Sequence, residues 1–301
     1  MRVATHSGSF HADDVFALAA LTLLTRAEPA RGPLEIVRTR DPELLAAADL
    51  RVDVGQRNDP ATGDFDHHQR GGAGERANGI RYASFGLVWR EFGARVAGGD
   101  DEVARRIDEV LVQSVDANDT GQTISSPLIG DVQAMTVSHA IAAFNPNWDE
   151  DASSAGKRRA FDAALEFATG ILARELASAI AQVSAAALVR AAIARADDPR
   201  LIELDRGMPW HRELVPSAPD ALYVVYPREQ DWGLQAVPRV LGEFTNRKDL
   251  PEPWAGRSDA ELAEVTGVAD ARFCHSGRFM AVAGSRDGVL ELARQALAHV
   301  D

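Results

Sequence analysis

The chain has a single cysteine, few aromatic residues and no excess of positive charge. Cys274 alone excludes an internal disulfide and a multi-cysteine zinc site, so any metal must be held by His, Asp and Glu. The formal net charge of −13 argues against a broad grip on long duplex nucleic acid, which relies on many Lys and Arg contacts to phosphate. A local basic groove stays compatible with this charge.

Long uncharged apolar runs are also missing, so the sequence predicts no bilayer-spanning segment and no membrane partner. The N-terminus lacks the basic, then apolar, pattern of a signal peptide. We therefore expect a soluble, cytoplasmic protein. With 301 residues, of which 46% are hydrophobic, the chain can bury a full core and is long enough for two domains.

Strand-like and helix-like segments alternate through the first half. Strands are predicted at 3–5, 35–38 and 51–55, with helices at 15–24 and 41–49 between them. This β-α-β-α-β order predicts an α/β fold with a parallel sheet covered by helices on both faces.

Helices follow in the middle of the chain, and the last third returns to mixed α/β. Residues 157–196 are rich in Ala, Leu, Arg and Glu without Pro, which predicts a long helix or a helical pair. The predicted organisation is an N-terminal domain at 1–150, a helical connector at 151–198 and a smaller α/β domain at 199–301.

Polar residues gather where the first predicted strand ends. Within nine residues the chain carries His6, His11, Asp13 and Asp14. Loops at the carboxyl ends of strands are where ligands collect in open α/β sheets. Capping of the following helix would explain the two aspartates but not the two histidines.

Three more acidic or histidine positions follow apolar segments of the same domain. Asp53 ends a short apolar strand, Asp66 precedes the pair His67 and His68, and Asp116 lies where a helix gives way to a loop. Turn capping by Asp53 and a solvated loop around the histidine pair are the alternatives. His139 is expected to be a packed or surface residue.

A parallel sheet would bring all four clusters to one edge, which is the arrangement of a two-metal site. Such a site holds cations about 3.5–4 Å apart with one bridging carboxylate and open positions for water and substrate. Towards the C-terminus, Arg247, Lys248 and the stretch around His275 and Arg278 contain the cations and glycine turns that suit phosphate recognition. Surface solvation is the alternative for each basic residue.

The sequence resembles the DHH phosphoesterase superfamily, whose Asp-His-His motif is here Asp66, His67 and His68. More closely, nearly the whole chain is similar to the melanocyte proliferating gene family, a branch of metal-dependent hydrolases with RNA exonuclease activity. The similar stretches are 5–14, 52–55, 65–69, 145–148, 232–238, 250–254 and the segment around Cys274 and His275.

The resemblance implies a set of roles. One cation would be held by His6, His11 and Asp53, and a second by Asp13, Asp53, His67 and Asp116, with Asp53 as the bridge. His68 would face the substrate phosphate, and Asp66 would orient its neighbouring imidazole. The C-terminal domain would present Arg247, Lys248, His275 and Arg278 to that phosphate.

One departure from the superfamily concerns the metal. Many members have an Asp where this chain has His11. A nitrogen ligand in place of oxygen shifts preference away from Mg²⁺, so two divalent cations, Mn²⁺ first and Zn²⁺, Co²⁺ or Mg²⁺ as alternatives, are expected.

The expected function is a metal-dependent phosphoesterase, a 3′-5′ exonuclease that hydrolyses short or single-stranded RNA with metal-activated water. Two alternatives remain open at the level of sequence. One is a small-molecule phosphatase or pyrophosphatase that uses the same site. The other is a non-catalytic binding protein that the metal stabilises.

Overall fold

The computed structural model describes residues 1–300. Its first unit, Met1–Ile180, contains five strands: β1 (Arg2–Thr5), β2 (Glu35–Arg38), β3 (Leu50–Val52), β4 (Asn58–Asp59) and β5 (Asp64–Phe65). Its helices are α1 (Ala12–Ala27), α2 (Pro42–Ala46), α3 (Ser84–Val96), α4 (Asp101–Ile107), α5 (Gln113–Asp119), α6 (Val137–Ala142) and the first part of α7 (Ser154–Arg195).

The sheet of this unit has the strand order β2-β1-β3-β5-β4. Strand β1 runs parallel to β2 and β3, β3 runs parallel to β5, and only β4 is antiparallel to its neighbour. The predicted α/β class with an N-terminal parallel sheet is therefore confirmed. Because β1, β3 and β5 are consecutive neighbours, the loops that follow them lie side by side at one edge.

Helix α1 fixes the position of that edge against the core. Its residues are buried on all sides over most of its length, as expected for a helix that is apolar all round. The Phe16 ring stacks on Phe85 of α3, with 5.5 Å between ring centroids. At its start, the Asp14 carboxylate accepts a 2.9 Å hydrogen bond from the His11 backbone N–H. The N-termini of α1 and α3 are thereby held close to the ends of the strands.

A single helical turn of π type, Asp108–Val112, joins α4 to α5. The helical stretch therefore runs without a break from Asp101 to Asp119 but changes register in its middle. Turns of this kind are rare and occur frequently at functional sites. Here the turn lies just before the part of the helix that carries Asp116 and Asp119.

Helix α7 spans 42 residues, close to the predicted helix at 157–196, and the division between the two units falls within it. Its most apolar window has a mean hydropathy of 1.7, and 28% of that window is buried. By length and composition alone it could cross a membrane, which corrects the expectation that the chain has no such segment. Core helices of soluble proteins meet the same criterion, so this property alone does not make α7 a membrane helix.

The second unit begins at Ala181 and contains β6 (Leu201–Glu203), β7 (Tyr223–Pro227), β8 (Trp232–Ala236), β9 (Ala271–Cys274) and β10 (Met280–Ala283), with helices α8 (His211–Ser217), α9 (Asp259–Thr266) and α10 (Arg286–Ala298). The strand order is β6-β7-β8-β10-β9, and only the β6–β7 pair is parallel. The predicted smaller C-terminal α/β part is confirmed, and β9 is a strand that the sequence analysis did not predict.

Candidate metal centre

The ends of three neighbouring strands supply the main polar residues of the site. His6 follows β1 directly, Asp53 follows β3, and Asp66, His67 and His68 follow β5. Since these strands are adjacent and parallel, their carboxyl ends meet at one edge. The structure therefore brings together residues that are separated by up to 62 positions in the sequence.

Asp53 lies at the centre of this cluster. Its Oδ2 is 3.3 Å from Nε2 of His6, and its Oδ1 is 3.4 Å from Nε2 of His67 and 3.3 Å from Nδ1 of His68. The hydroxyl of Ser84, at the first position of α3, donates a 3.1 Å hydrogen bond to Oδ1. Only 3% of Asp53 is exposed, so the carboxylate faces both halves of the cluster and little solvent.

The backbone of Asp53 is also unusual. Its φ is +56°, in the left-handed region that few residues other than Gly, Asn and Asp adopt. The turn that follows β3 thus requires one of a small set of residues, and the same turn aims the carboxylate at the histidines.

A second carboxylate group surrounds His67 from α1 and α5. Nε2 of His67 lies 3.1 Å from Oδ2 of Asp119 and 3.6 Å from Oδ2 of Asp13. Asp13 is fully buried and accepts a 3.2 Å hydrogen bond from the Ser84 backbone N–H. His11 is exposed, and its Nδ1 lies 3.9 Å from Oδ1 of Asp119.

Asp66 orients His68. Its Oδ1 lies 2.8 Å from Nδ1 of the His68 ring and accepts a 3.0 Å bond from the His68 backbone N–H. The Gln56 backbone N–H donates to Oδ2 at 2.6 Å. The His68 imidazole is half-exposed, so its position is fixed from the buried side while the rest of the ring faces solvent.

The electrostatics of the two buried histidines follow from their acidic neighbours. Burial lowers the pKa of His6, but the carboxylates of Asp14 and Asp53 outweigh it and raise that pKa to about 10. Burial likewise lowers the pKa of His67, and Asp119 and Asp53 raise it to about 10. Without another cation, the site therefore holds protons on these rings.

The pKa values of Asp53 and Asp13 are shifted in opposite directions. Burial raises the pKa of Asp53, but the imidazoles of His6, His67 and His68 reverse this and hold it well below its usual range. Burial, together with the charges of Asp53 and Asp119, raises the pKa of Asp13 well above its usual range. The buried site therefore disfavours negative charge on both carboxyl groups at once and favours it on Asp53.

Several buried side-chain atoms of the site form no well-aligned hydrogen bond within residues 1–300, although oppositely charged atoms lie near the two imidazoles. They are Nε2 of His6, Oδ1 of Asp13, Oδ2 of Asp14 and Nε2 of His67. Buried polar atoms are normally satisfied, and buried charges are paired or bind metals. A divalent cation would satisfy these atoms, and mixed imidazole and carboxylate donors suit Mn²⁺ and Zn²⁺.

Three overlapping groups have ligand atoms close enough to share a cation, within 4.8 Å of one another: His6, His11 and Asp53; Asp53, His67 and His68; and His11, Asp13 and Asp119. Asp53 belongs to two groups, as a bridging carboxylate would. The first group has the composition predicted for one cation. The residues present therefore fit divalent cations.

The predicted second group differs from the structure in one member. The Asp116 carboxylate is fully buried, lies 2.8 Å from Nη1 of Arg76 and accepts a 2.9 Å bond from the Gly86 backbone N–H. Its acceptor oxygens are thus used in packing α5 against α3. Asp119, one turn later and at the end of the helix, takes the position near His67 that was predicted for Asp116.

The sequence analysis also gave no metal-site role to Asp14, whose Oδ2 lies 3.3 Å from Nε2 of His6, or to Ser84. Asp14 was interpreted as a helix cap, and it is one, through the bond from His11. Nothing in the sequence indicated that its second carboxylate oxygen, Oδ2, would face His6. Ser84 had none, since serine at a helix start is common.

The Asn145 side chain braces the loop that carries the histidines. Its Oδ1 accepts a 3.1 Å bond from the Phe10 backbone N–H, and its Nδ2 donates a 2.9 Å bond to the Phe10 carbonyl. Both backbone groups immediately precede His11. The motif at 145–148 therefore acts on the site through the backbone of the first loop.

The four residues predicted to bind substrate lie in the second unit, where they make local contacts. Arg247 donates to the carbonyls of Val215, Ala218 and Ala221 near the end of α8, and Lys248 donates to those of Leu297 and His299 at the end of α10. His275 accepts from the Gly277 N–H, and Arg278 binds Asp249 at 2.9 Å. Cations at helix C-termini satisfy the last carbonyls; binding of substrate by these residues stays a prediction.

Comparison with known proteins gives consistent matches over almost the whole chain. Residues 2–297 match the model MYG1_exonuc, described as "Uncharacterised protein family (UPF0160)". The human protein named MYG1 exonuclease is 35% identical over 332 residues, which cover 99% of this chain and 86% of the human protein. The mouse MYG1 exonuclease is 33% identical with 99% and 85% coverage, and the MYG1 protein C694.04c of Schizosaccharomyces pombe is 31% identical with 99% and 97% coverage.

Proposed function

Because the chain belongs to the MYG1_exonuc family, we propose that it is a metal-dependent phosphodiesterase that shortens single-stranded RNA from its 3′ end. The mammalian relatives are named exonucleases, which supports a nuclease-like hydrolase. RNA as the substrate, the 3′-5′ polarity and the use of two cations are the finer parts of the proposal.

The observation that carries the proposal is the position of Asp53 between two groups of potential ligands. It is nearly buried, lies 3.3–3.4 Å from three imidazoles and is shared by two of the three candidate groups. A purely structural carboxylate would need far fewer partners. A shared, buried carboxylate is what a dinuclear hydrolytic centre requires.

His6, His11 and Asp53 would hold one cation, and Asp13, Asp53, His67 and Asp119 the other. When bound, such cations supply an activated water and stabilise negative charge at the phosphate. The protein's contribution is a rigid edge of the sheet that fixes these seven side-chain contacts before substrate arrives.

His68 is the residue that would bind the scissile phosphate. Its neighbours Asp53 and Asp66 raise its pKa, against the effect of partial burial, and so favour the protonated ring. Asp66 and Asp53 both face Nδ1. A half-exposed imidazole held by Asp66 is suited to hydrogen bonding with a phosphate oxygen.

The overall charge supports short or terminal substrates. With a net charge of −13, the protein offers few contacts to a long backbone, and a strand end requires only a few phosphates to be neutralised. Hydrolysis would join the oxygen of water to the phosphorus and break the bond from phosphorus to the leaving nucleoside oxygen.

The test is digestion of a 5′-labelled short RNA with Mn²⁺, with products resolved at single-nucleotide steps. A ladder that shortens from the 3′ end, is absent with Asp53→Asn and does not form from circular RNA is expected. Equal cleavage of linear and circular RNA would refute the exonuclease. Release of phosphate from pyrophosphate with the RNA intact would instead establish the small-molecule phosphatase.

A further inference from the structure

A cavity of about 310 Å³ adjoins the metal centre. His67 forms part of its wall, together with the loop at residues 71–74, Glu75, Arg81 and Tyr82. Small-molecule pockets occupy roughly 300–1,000 Å³, so this one has room for a single small group beside the reacting centre. No role was predicted for these residues other than His67.

Residues Gly71, Gly72, Ala73 and Gly74 form a glycine loop in the wall of this cavity. Gly71, Gly72 and Gly74 have φ values of +89°, +71° and +89°, in the region that favours glycine. Within residues 1–300, the backbone N–H groups of Gly71, Ala73 and Gly74 donate to no protein acceptor. The Gly72 N–H donates a 2.9 Å bond to the Gln69 carbonyl, so Ala73 and Gly74 are the successive residues with free N–H groups. Such successive N–H groups form concave sites for anions.

Arg81 adds a cation to the same cavity. Its Nη2 donates a 2.6 Å bond to the Thr120 carbonyl, and its backbone N–H donates to Oε1 of Gln122. Among the described residues, no carboxylate forms an ion pair with Arg81. A carbonyl positions the guanidinium without neutralising it.

Arg76, on the same hairpin, differs from Arg81 because it is paired with carboxylates. Its guanidinium lies 2.8 Å from Asp108 and 2.8 Å from Asp116, so its charge is already used within the fold. Arg81 is therefore the cation of this hairpin that is available to an anionic ligand.

We propose that this cavity binds a second phosphate of the substrate, the one next to the scissile phosphate along the strand, through Arg81 and the N–H groups of the glycine loop. This inference rests on the proposed function and makes it more specific. An adjacent phosphate shares the chain with the reacting one, is small enough for the cavity and carries the negative charge that would pair with Arg81. The one carboxylate of the lining, Glu75, is exposed to solvent and forms no ion pair with Arg81. The enzyme would then prefer short oligonucleotides that carry a phosphate beyond the cleaved linkage.

The test compares two RNA dinucleotides that differ only in a 5′-phosphate, with Mn²⁺ present. For the wild type, kcat/KM is expected to be about tenfold higher for the phosphorylated dinucleotide, as one charge-assisted contact would give. In Arg81→Gln this advantage should disappear, so that the ratio of the two kcat/KM values falls to about one through a higher KM for the phosphorylated substrate. Arg81→Lys should recover part of the difference, because the charge returns without the planar fork.

Arg90→Gln is the matched control. Arg90 lies over the Tyr82 ring, 4.7 Å from its centroid, but lines a neighbouring cavity with Arg76 and Trp89. The variant removes one positive charge from the neighbouring cavity, which Tyr82 also lines, and should behave as the wild type. Equal cleavage of both dinucleotides by the wild type, or an equal loss on both in Arg81→Gln, would overturn the second phosphate site.

A binding measurement distinguishes failure of the second phosphate site from failure of the proposed function. The same dinucleotides with a phosphorothioate linkage, which is cut slowly, are titrated calorimetrically into the Mn²⁺-loaded protein. If neither natural dinucleotide is cleaved, the proposed function fails. In that case, tighter binding of the phosphorylated probe that depends on Arg81 keeps the phosphate site, and equal binding overturns it.

Discussion

Oδ2 of Asp119 lies 3.1 Å from Nε2 of His67, at the C-terminal end of a helix that carries another buried aspartate one turn earlier. That earlier residue, Asp116, contacts Arg76 and the Gly86 N–H instead. The two aspartates of this helix therefore have different roles: Asp119 belongs to the candidate metal centre, and Asp116 stabilises the packing around Arg76.

The first prediction separates these tasks with matched substitutions. Asp119→Asn should weaken Mn²⁺ binding by about a hundredfold and leave the metal-free melting temperature unchanged or higher, because it removes negative charge near Asp13. Asp116→Asn should lower the free energy of unfolding by about 3 kcal/mol, since it leaves Arg76 partly unpaired in a buried place. Calorimetry for the metal and thermal melts for both proteins measure this, and the reverse pattern would contradict it.

The second prediction concerns the left-handed backbone of Asp53. Both Asp53→Asn and Asp53→Ala should abolish turnover and weaken metal binding, because each removes the shared carboxylate. Asp53→Ala should be less stable than Asp53→Asn by about 1 kcal/mol, the cost of placing a residue with a Cβ but no local polar group at positive φ. Urea unfolding of the two metal-free variants gives the difference, and equal stability would show that the turn tolerates any residue.

The third prediction is that Mn²⁺ affinity rises with pH. A metal binds neutral imidazole, so it must displace the protons of His6 and His67, whose pKa values are raised to about 10. Affinity should increase by about tenfold per pH unit for each proton released. Titrations at pH 6, 7 and 8 check this, and an affinity independent of pH would mean that these rings carry no proton in the metal-free protein.

The same pKa shifts determine how the stability of the metal-free protein changes with pH. A histidine whose pKa rises from 6.5 to about 10 contributes stability fully below pH 6.5 and loses it as the pH approaches 10. The increase in melting temperature on adding Mn²⁺ should therefore grow from pH 6 to pH 8.

The fourth prediction tests the brace on the first loop. Asn145→Ala removes two hydrogen bonds to the Phe10 backbone and should lower the free energy of unfolding by about 2 kcal/mol. It should also weaken metal binding, because His11 follows directly. Asn147→Ala is the control, since this exposed side chain of the same motif makes no described contact. Similar losses in both variants would show that the motif acts in another way.

The alternation of short strands and helices was enough to predict the parallel sheet, because the period of the pattern and the connection lengths are local properties. That His6 and Asp53 lie close together also followed, since residues after adjacent parallel strands must meet. Strand β5, which brings His67 to the same edge, was not predicted. Asp119 did not follow. Asp116 and Asp119 both lie near the end of α5. The sequence does not indicate the π-type turn or the contact between Arg76 and Asp116, and these decide what Asp116 binds.

The second unit shows a different limit. Arg247 and Lys248 have the composition of a phosphate site, yet each donates to carbonyls at a helix end. The local sequence around an Arg or Lys is the same whether its side chain binds a ligand or caps a helix. Only the positions of α8 and α10 relative to these side chains distinguish the two, and those positions depend on long-range packing.

The adjacency of β1, β3 and β5 also determines when the centre can form during folding. His6 and Asp53 come together only after Val3 pairs with Leu50, which closes a long loop and is slow compared with local helix formation. A nascent chain that has completed α1 but not β3 would present histidines without their shared carboxylate and would bind metal weakly. Metal uptake during refolding should therefore report the pairing of the sheet rather than the formation of its helices.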